Sequence, residues 1–260
     1  MPFSPKVHSY LDLSQQQAHM WSNRRIEDEI DLCEKRNLLD VFMRYLPKGE
    51  RIIEAGCGLC AWLIMLDNLG FTIEGIDFDP NVVRRVEEYD PQLQVYERDV
   101  TATGYDADTF GAYVSLGVVE HFEEGPEKAL AEANRILKHG GIMILTVPYN
   151  NILRRWLFNP LRILYIYLLK LKGKQIHFVE YRYDRKEILK YITNADFEII
   201  ETGVDDFYSP SESMGLWTDW PFLRAPEQFV LNRCGKIIAD ILPKRFHTCG
   251  IYVVAQKTGH

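Results

Sequence analysis

The segment Ile53-Glu54-Ala55-Gly56-Cys57-Gly58 puts two glycines and a carboxylate where a short apolar run gives way to a helical pattern. Glycine permits a tight turn and a close backbone approach to a ligand, and the helix N-terminus behind it favours partial negative charge. Asp77 follows Gly58 by 19 residues, at the end of the next apolar run. A carboxylate there can accept the hydroxyl hydrogens of a ribose. Together the two signals point to a ribonucleoside cofactor. Gly56-Cys57-Gly58-Leu59-Cys60-Ala61 also satisfies the G-x-G-x-x-[GA] dinucleotide fingerprint, so the loop alone leaves a nicotinamide-dependent oxidoreductase open.

Short apolar runs alternating with amphipathic stretches must position these residues, an order that predicts a parallel sheet covered by helices. The runs Arg51 to Glu54, Thr72 to Ile76, Leu93 to Glu97, Ala112 to Ser115, Ile142 to Val147, Phe197 to Ile200 and Ile251 to Ala255 are the expected strands one to seven. Between them, helices are expected over Leu59 to Leu69, closed by Gly70, over Asn81 to Tyr89 after the Asp79-Pro80 cap, and over Lys128 to Lys138. Asp184-Arg185-Lys186-Glu187 resembles a capping box opening a helix to about Asn194. The fold class is therefore α/β, a Rossmann-like seven-stranded mostly parallel sheet with helices on both faces and cap inserts after strands five and six. The boundaries read as a helical lid over 1–50, a cofactor-binding core over 51–148 and a basic, apolar insert over 149–183. A core helix and strand six over 184–201, a second insert over 202–250 and the last strand with the C-terminus over 251–260 complete the chain.

Five motifs in order resemble class I S-adenosylmethionine-dependent methyltransferases. They are Glu54-Ala55-Gly56-Cys57-Gly58, Asp77, Asp99-Val100, Ser115-Leu116-Gly117-Val118-Val119-Glu120-His121-Phe122, and Leu137-Lys138-His139-Gly140-Gly141 before strand five. The resemblance spans Glu54 to Pro148. It implies S-adenosyl-L-methionine as cofactor and S-adenosyl-L-homocysteine as product. It further implies that Glu54 supports the loop, that Gly56, Cys57 and Gly58 pass under the methionine part, and that Asp77 holds the ribose. Phe78 would lie against the adenine, Asp99 would receive its amino group beside the Val100 backbone, and Leu116 would line the far side. Arg36 and Trp21 are weaker candidates for closing over the cofactor carboxylate and the acceptor; the alternatives are a solvated helix cation and a core aromatic.

A methyl on a sulfonium is already activated, so the protein needs mainly to align acceptor, methyl and sulfur. His121, just after strand four, is the candidate general base for an acceptor that carries a proton, and the alternative is that Glu120-His121 only orders the loop. The strand-four motif resembles that of the ubiquinone-biosynthesis O-methyltransferases, in which E-x-x-E-H contributes a metal site. Gly117 stands at the first acidic position here, so no metal requirement is expected. Cys57-x-x-Cys60 lacks a second Cys or His pair and reads as two packing residues. A cofactor-binding partner protein without catalysis is the remaining alternative.

The chain has 260 residues and a formal net charge of -7, which argues against nucleic acid as a partner. That charge is unevenly spread. Between Ala133 and Val179 there are eight basic residues and no acidic one, which leaves -15 for the rest. Within this stretch, residues 151–174 combine apolar and basic side chains, as does a segment lying on an anionic membrane surface or gripping a lipophilic acceptor; a buried cap helix is the alternative. The second insert offers Trp217, Trp220, Phe222 and Phe229 as walls for an acceptor pocket or as aromatics pinning the insert to the sheet. Five scattered cysteines and no apolar leader predict a cytoplasmic protein, peripheral to the membrane if the insert binds lipid. The expected acceptor is a small or lipid-linked molecule.

Overall fold

The computed structural model describes residues 5–9, 21, 24–206, 241, 243, 246, 248 and 250–259. Strand β1 (Lys6–Ser9) precedes helices α1 (Ile26–Glu34) and α2 (Leu38–Tyr45). The alternating core then runs β2 (Arg51–Ala55), α3 (Ala61–Asn68), β3 (Thr72–Asp77), α4 (Pro80–Tyr89), β4 (Val95–Glu97), β5 (Phe110–Leu116), α5 (Glu127–Ile136) and β6 (Leu137–Pro148). Beyond it come α6 (Asn159–Leu171), β7 (His177–Tyr181), α7 (Arg185–Asn194), β8 (Phe197–Asp205) and β9 (Gly250–Lys257). Seven strands form one sheet in the order β4-β3-β2-β5-β6-β9-β8, parallel except for β9, which runs antiparallel to both β6 and β8.

The residue types explain the layers. Strands β2 and β5 are near-continuous apolar runs buried on both faces, as central parallel strands must be when helices cover each side. Helix α3 is apolar almost all round, and Trp62 to Leu66 are all buried. Helix α4 carries a valine stripe, Val82, Val83 and Val86, and its N-cap Asp79 accepts the Asn81 N–H at 2.9 Å ahead of Pro80. One core joins α1 to α4 on one face of the sheet; the other joins α5, α7 and β7 on the opposite face. The expected fold class therefore stands.

Four local expectations change. The start of the chain is not wholly helical: Lys6–Ser9 is a strand, paired antiparallel with β7, because β7 offers it a backbone edge. The insert over 149–183 thus contributes a strand of its own. The Asp184 capping box does not form, because the Asp184 carboxylate turns to Asn150 at 3.0 Å and Arg155 at 2.5 Å and so ties the insert to α7. Strand six does not stop at Ile200. It continues to Asp205 because β9 pairs with it along its whole length, past a register shift between Ile199 and Glu201. Trp217, Trp220, Phe222 and Phe229 lie outside the described residues.

Leu145→Ala in the fully buried centre of β6 should cost about 2–5 kcal/mol in denaturant unfolding. Leu164→Ala on the exposed face of α6 should change stability by less than about 0.5 kcal/mol.

Candidate active site

The turn after β2 has left-handed backbone at two positions, Gly56 with φ +76° and Gly58 with φ +52°. A Cβ on Gly56 would collide with the Val118 side chain, and one on Gly58 would stand 2.9 Å from the Trp21 ring. The loop amides are already engaged. Gly56 and Cys57 both donate to the Ile76 carbonyl at 2.8 and 3.0 Å, Gly58 donates to Asp77 Oδ2 at 2.9 Å, and Cys60 donates to the Cys57 carbonyl at 2.9 Å. A pyrophosphate needs such amides free to cradle it. Here they are used to tie the loop to the end of β3.

The loop borders a cavity of about 640 Å³ at the carboxyl ends of β2, β3 and β5. Glu54, Gly56, Cys57, Gly58, Asp77 and Phe78 line one part of it, and Asp99, Val100, Leu116 and His121 line another. Arg36 and Trp21 reach it from the N-terminal region, so all the sequence-predicted site residues meet around one space. Phe78 presents its ring there at 57% exposure, an apolar surface open to a planar ligand. Asp99 Oδ1 accepts both the N–H and the hydroxyl of Thr101, at 2.7 and 2.8 Å, which fixes the carboxylate beside buried Val100.

Charge distinguishes this cavity. Its lining carries seven carboxylates, from Glu29, Glu54, Asp77, Asp79, Asp99, Asp205 and Asp206, against the guanidinium groups of Arg24 and Arg36. Glu54 is buried, and its Oε2 has no hydrogen-bond partner. Burial pushes its carboxyl up to about 8. Burial likewise raises Asp77, against the backbone N–H bonds from Asp79 and Gly58 that pull it down. An anionic wall with an orphaned buried carboxylate suits a cationic ligand that brings N–H donors, and it opposes a phosphate.

His121 sits in a short 3₁₀ turn, Val119–His121, and its Nδ1 lies 2.7 Å from the Val179 carbonyl on β7. A carbonyl can only accept, so Nδ1 carries the hydrogen and Nε2 is the basic nitrogen of the neutral ring. Glu120 is buried beside it, and desolvation drives its carboxyl well above the usual range. Arg36 spans Asp205 with Nε and Nη2, at 3.2 and 2.6 Å from Oδ1, and stacks over the Trp62 ring with 5.8 Å to its centroid. It is therefore paired across the cavity rim rather than solvated. Next to it, Asn37 exchanges hydrogen bonds with Val204 and Asp206, pinning the α1–α2 turn to the end of β8. Asp205 and Asp206 escape sequence reasoning because they lie beyond the apolar alternation that marks strand six. The Val204-Asp205-Asp206 junction is the only local signal for them.

Cys57 and Cys60 are buried with their sulfurs 3.2 Å apart, and Cys57 packs where a side chain on Gly75 would stand. Among the described residues no three His, Cys, Asp or Glu side chains group closely enough to hold a metal ion.

The family model described as a methyltransferase domain matches residues 53–145, the stretch that holds the loop, Asp77, Asp99 and the strand-four turn. Over those residues the chain is similar to that family. No curated protein sequence matches the chain. Among solved structures, the chain is similar to one in the complex between the Haloferax volcanii Trm112 methyltransferase activator and a methyltransferase, with a TM-score of 0.64 and 16% identity, covering 94% of this chain and 97% of that one. It is similar to a SAM-dependent methyltransferase from Methanosarcina mazei, with a TM-score of 0.59 and 16% identity over 85% of this chain and 98% of the other. It is also similar to geranyl diphosphate C-methyltransferase from Streptomyces coelicolor A3(2), crystallised with Mg²⁺, geranyl diphosphate and S-adenosyl-L-homocysteine, with a TM-score of 0.58 and 12% identity over 85% and 80%. At these identities the likeness establishes a shared fold. The matched stretch thus supplies much of the cavity lining, while Arg36, Asp205 and Asp206 reach it from outside residues 53–145.

Because the folded Glu54 carboxyl is raised from 4.5 to about 8, the native state holds the extra proton between those values, and stability falls as pH rises across that window. The fall should be at most about 1.4 kcal/mol per pH unit and should be flattened in Glu54→Gln, as read from urea unfolding at several pH values. Gly56→Ala should destabilise the fold by roughly 2–4 kcal/mol, since it combines left-handed strain with the clash on Val118.

Proposed function

We propose that the protein is an S-adenosyl-L-methionine-dependent methyltransferase acting in the cytoplasm on a small or lipid-linked acceptor. The observation that carries this reading is the carboxylate-rich cavity whose glycine-loop amides are spent on Ile76 and Asp77, with Glu54 Oε2 left without a partner. A dinucleotide would bring a pyrophosphate to amides that are not free and to seven carboxylates. A sulfonium cofactor with an ammonium group has the complementary charge.

When bound, the cofactor supplies a methyl group on a positively charged sulfur, which departs as a neutral thioether. Glu54 would accept from the ammonium, and ionising it against its raised value would couple binding to the loss of a proton. Of the residues lining the cavity, Asp77 would receive the ribose hydroxyls, Phe78 the adenine face, and Asp99 with Val100 the adenine edge. Arg36 is the weaker element of this assignment, because the carboxylate it was expected to clamp has a competitor in Asp205. His121 takes the acceptor proton on Nε2, since Nδ1 is committed to Val179. The strand-four motif resembles that of the ubiquinone-biosynthesis O-methyltransferases apart from Gly117 and leaves the acceptor atom open, and a neighbour named for geranyl diphosphate is a precedent for an isoprenoid acceptor on this fold.

Isothermal calorimetry with S-adenosyl-L-homocysteine against NAD tests the cofactor. The expected result is binding of the first alone, weakening by up to about tenfold per pH unit as pH falls below 8, with a proton released on binding that Glu54→Gln abolishes. Binding of NAD alone would return the oxidoreductase alternative, and binding without turnover on any acceptor would favour a non-catalytic partner protein. With an acceptor hydroxyl, His121→Ala should lower the methyl-transfer rate roughly 100- to 10,000-fold. Near-normal turnover would restrict His121 to ordering the loop.

A further inference from the structure

Residues 152–171 are continuously helical, with a π-helical turn at Arg154–Phe158 leading into α6. Helix α6 buries none of its residues. Its inward side is Arg162, Ile166 and Leu169, each half-buried. The outward side is apolar: Leu161, Leu164, Leu168 and Leu171 recur at three- and four-residue spacing, flanked by Ile163 and Tyr167 and preceded by Trp156. Trp156 is 77% exposed, Ile163 70% and Leu171 67%. A contiguous apolar face of this size on a folded protein marks an interaction surface.

Cations rim that face, but fewer than the sequence suggests. Arg154 is buried and donates to the Tyr149 carbonyl, Arg155 pairs with Asp184, and Arg162 donates to the His8 carbonyl. Lys170, Lys172 and Lys174 remain exposed at the C-terminal end, and none of them is in an ion pair among the described residues. No acidic residue occurs between Ala133 and Val179 to neutralise them. The leucine spacing alone would also suit a second copy of this chain. A second copy pairing through this same face, however, brings only the same acid-free segment, whereas phospholipid headgroups supply anions beside an apolar layer.

We propose that residues 152–174 dock on an anionic phospholipid bilayer, with the leucine face and Trp156 in the acyl boundary and the three lysines on the headgroups. No described helix is long and apolar enough to cross a membrane, so the segment lies in the interface plane. The helix rests on the β1–β7 sheet through Arg162 and His8, and the Val179 carbonyl of that sheet holds His121. Docking therefore holds the sheet that carries His121's partner beside the bilayer, and the acceptor is lipid-linked; this last step rests on the methyl-transfer reading, whereas the docking does not.

The full chain is mixed at low salt with vesicles of phosphatidylcholine alone or with phosphatidylglycerol added, and sedimented. The expected result is partition onto the anionic vesicles that weakens with salt. It should fall roughly 100-fold in the Lys170→Gln, Lys172→Gln, Lys174→Gln triple variant and be lost in Leu164→Ser with Leu168→Ser. Calorimetry with S-adenosyl-L-homocysteine on each variant, expected to be unchanged, separates loss of the surface from loss of the fold and tests the cofactor reading independently. Wild-type protein that stays in the supernatant overturns the proposal. So does partition unaffected by either variant, and so does a dimer in light scattering that the leucine substitutions dissolve while vesicles remain unbound.

Discussion

The hold of β3 on the glycine loop is the constraint on which the site depends. One carbonyl, Ile76, takes the amides of Gly56 and Cys57, and the neighbouring carboxylate, Asp77, takes that of Gly58. Two adjacent parallel strands thereby lock each other's ends. The lock requires left-handed backbone at Gly56 and Gly58, leaves Val118 and Trp21 packed where side chains on those glycines would stand, and sets the floor of the cavity. It also decides what the loop cannot do, because amides bonded inside the protein are not available to a phosphate.

Once the loop is closed in this way, the electrostatics of the cavity follow from the strand ends that surround it. Four of the strands deliver a carboxylate at or near the C-terminal end: Glu54 on β2, Asp77 on β3, Asp99 after β4 and Asp205 on β8. Burial raises both Glu54 and Asp77, with a smaller push from the Asp77 charge on Glu54 and from the Asp79 charge on Asp77. The site is costly to ionise fully, and a cation relieves that cost. Arg36 already relieves part of it at Asp205, and in doing so fastens the N-terminal helices to the sheet.

The insert after β6 answers to a different constraint. Buried Arg154, together with Asn150, Asn151 and Asp184, anchors its beginning to the core through hydrogen bonds at 2.7 to 3.0 Å. Helix α6 then leaves the core with only one narrow side in contact. An apolar helix in the middle of a chain would ordinarily be read as buried, since apolar area removed from water is the main source of stability. Exposure of this one is a property of how the insert is anchored, not of its composition.

The strand alternation, the Asp79-Pro80 cap, the loop and the acidic strand ends were legible in the sequence, because each is written in neighbouring residues: turns need glycine, caps need a short acceptor side chain, and central parallel strands need unbroken apolar runs. The order of motifs along Glu54 to Pro148 was enough to specify the sheet core and the residues that meet in its cavity. Other features depend on partners far along the chain. Asp205 completes the rim only because β9 extends β8 and Arg36 lies 169 residues away. Lys6–Ser9 is a strand only because β7 offers an edge, His121 has a defined basic nitrogen only because Val179 is opposite it, and the Asp184 side chain turns from capping its helix to Arg155. Local chemistry thus determined the elements and the identity of the site's core, while pairing between distant segments decided its rim, its tautomer and which side of the insert faces solvent.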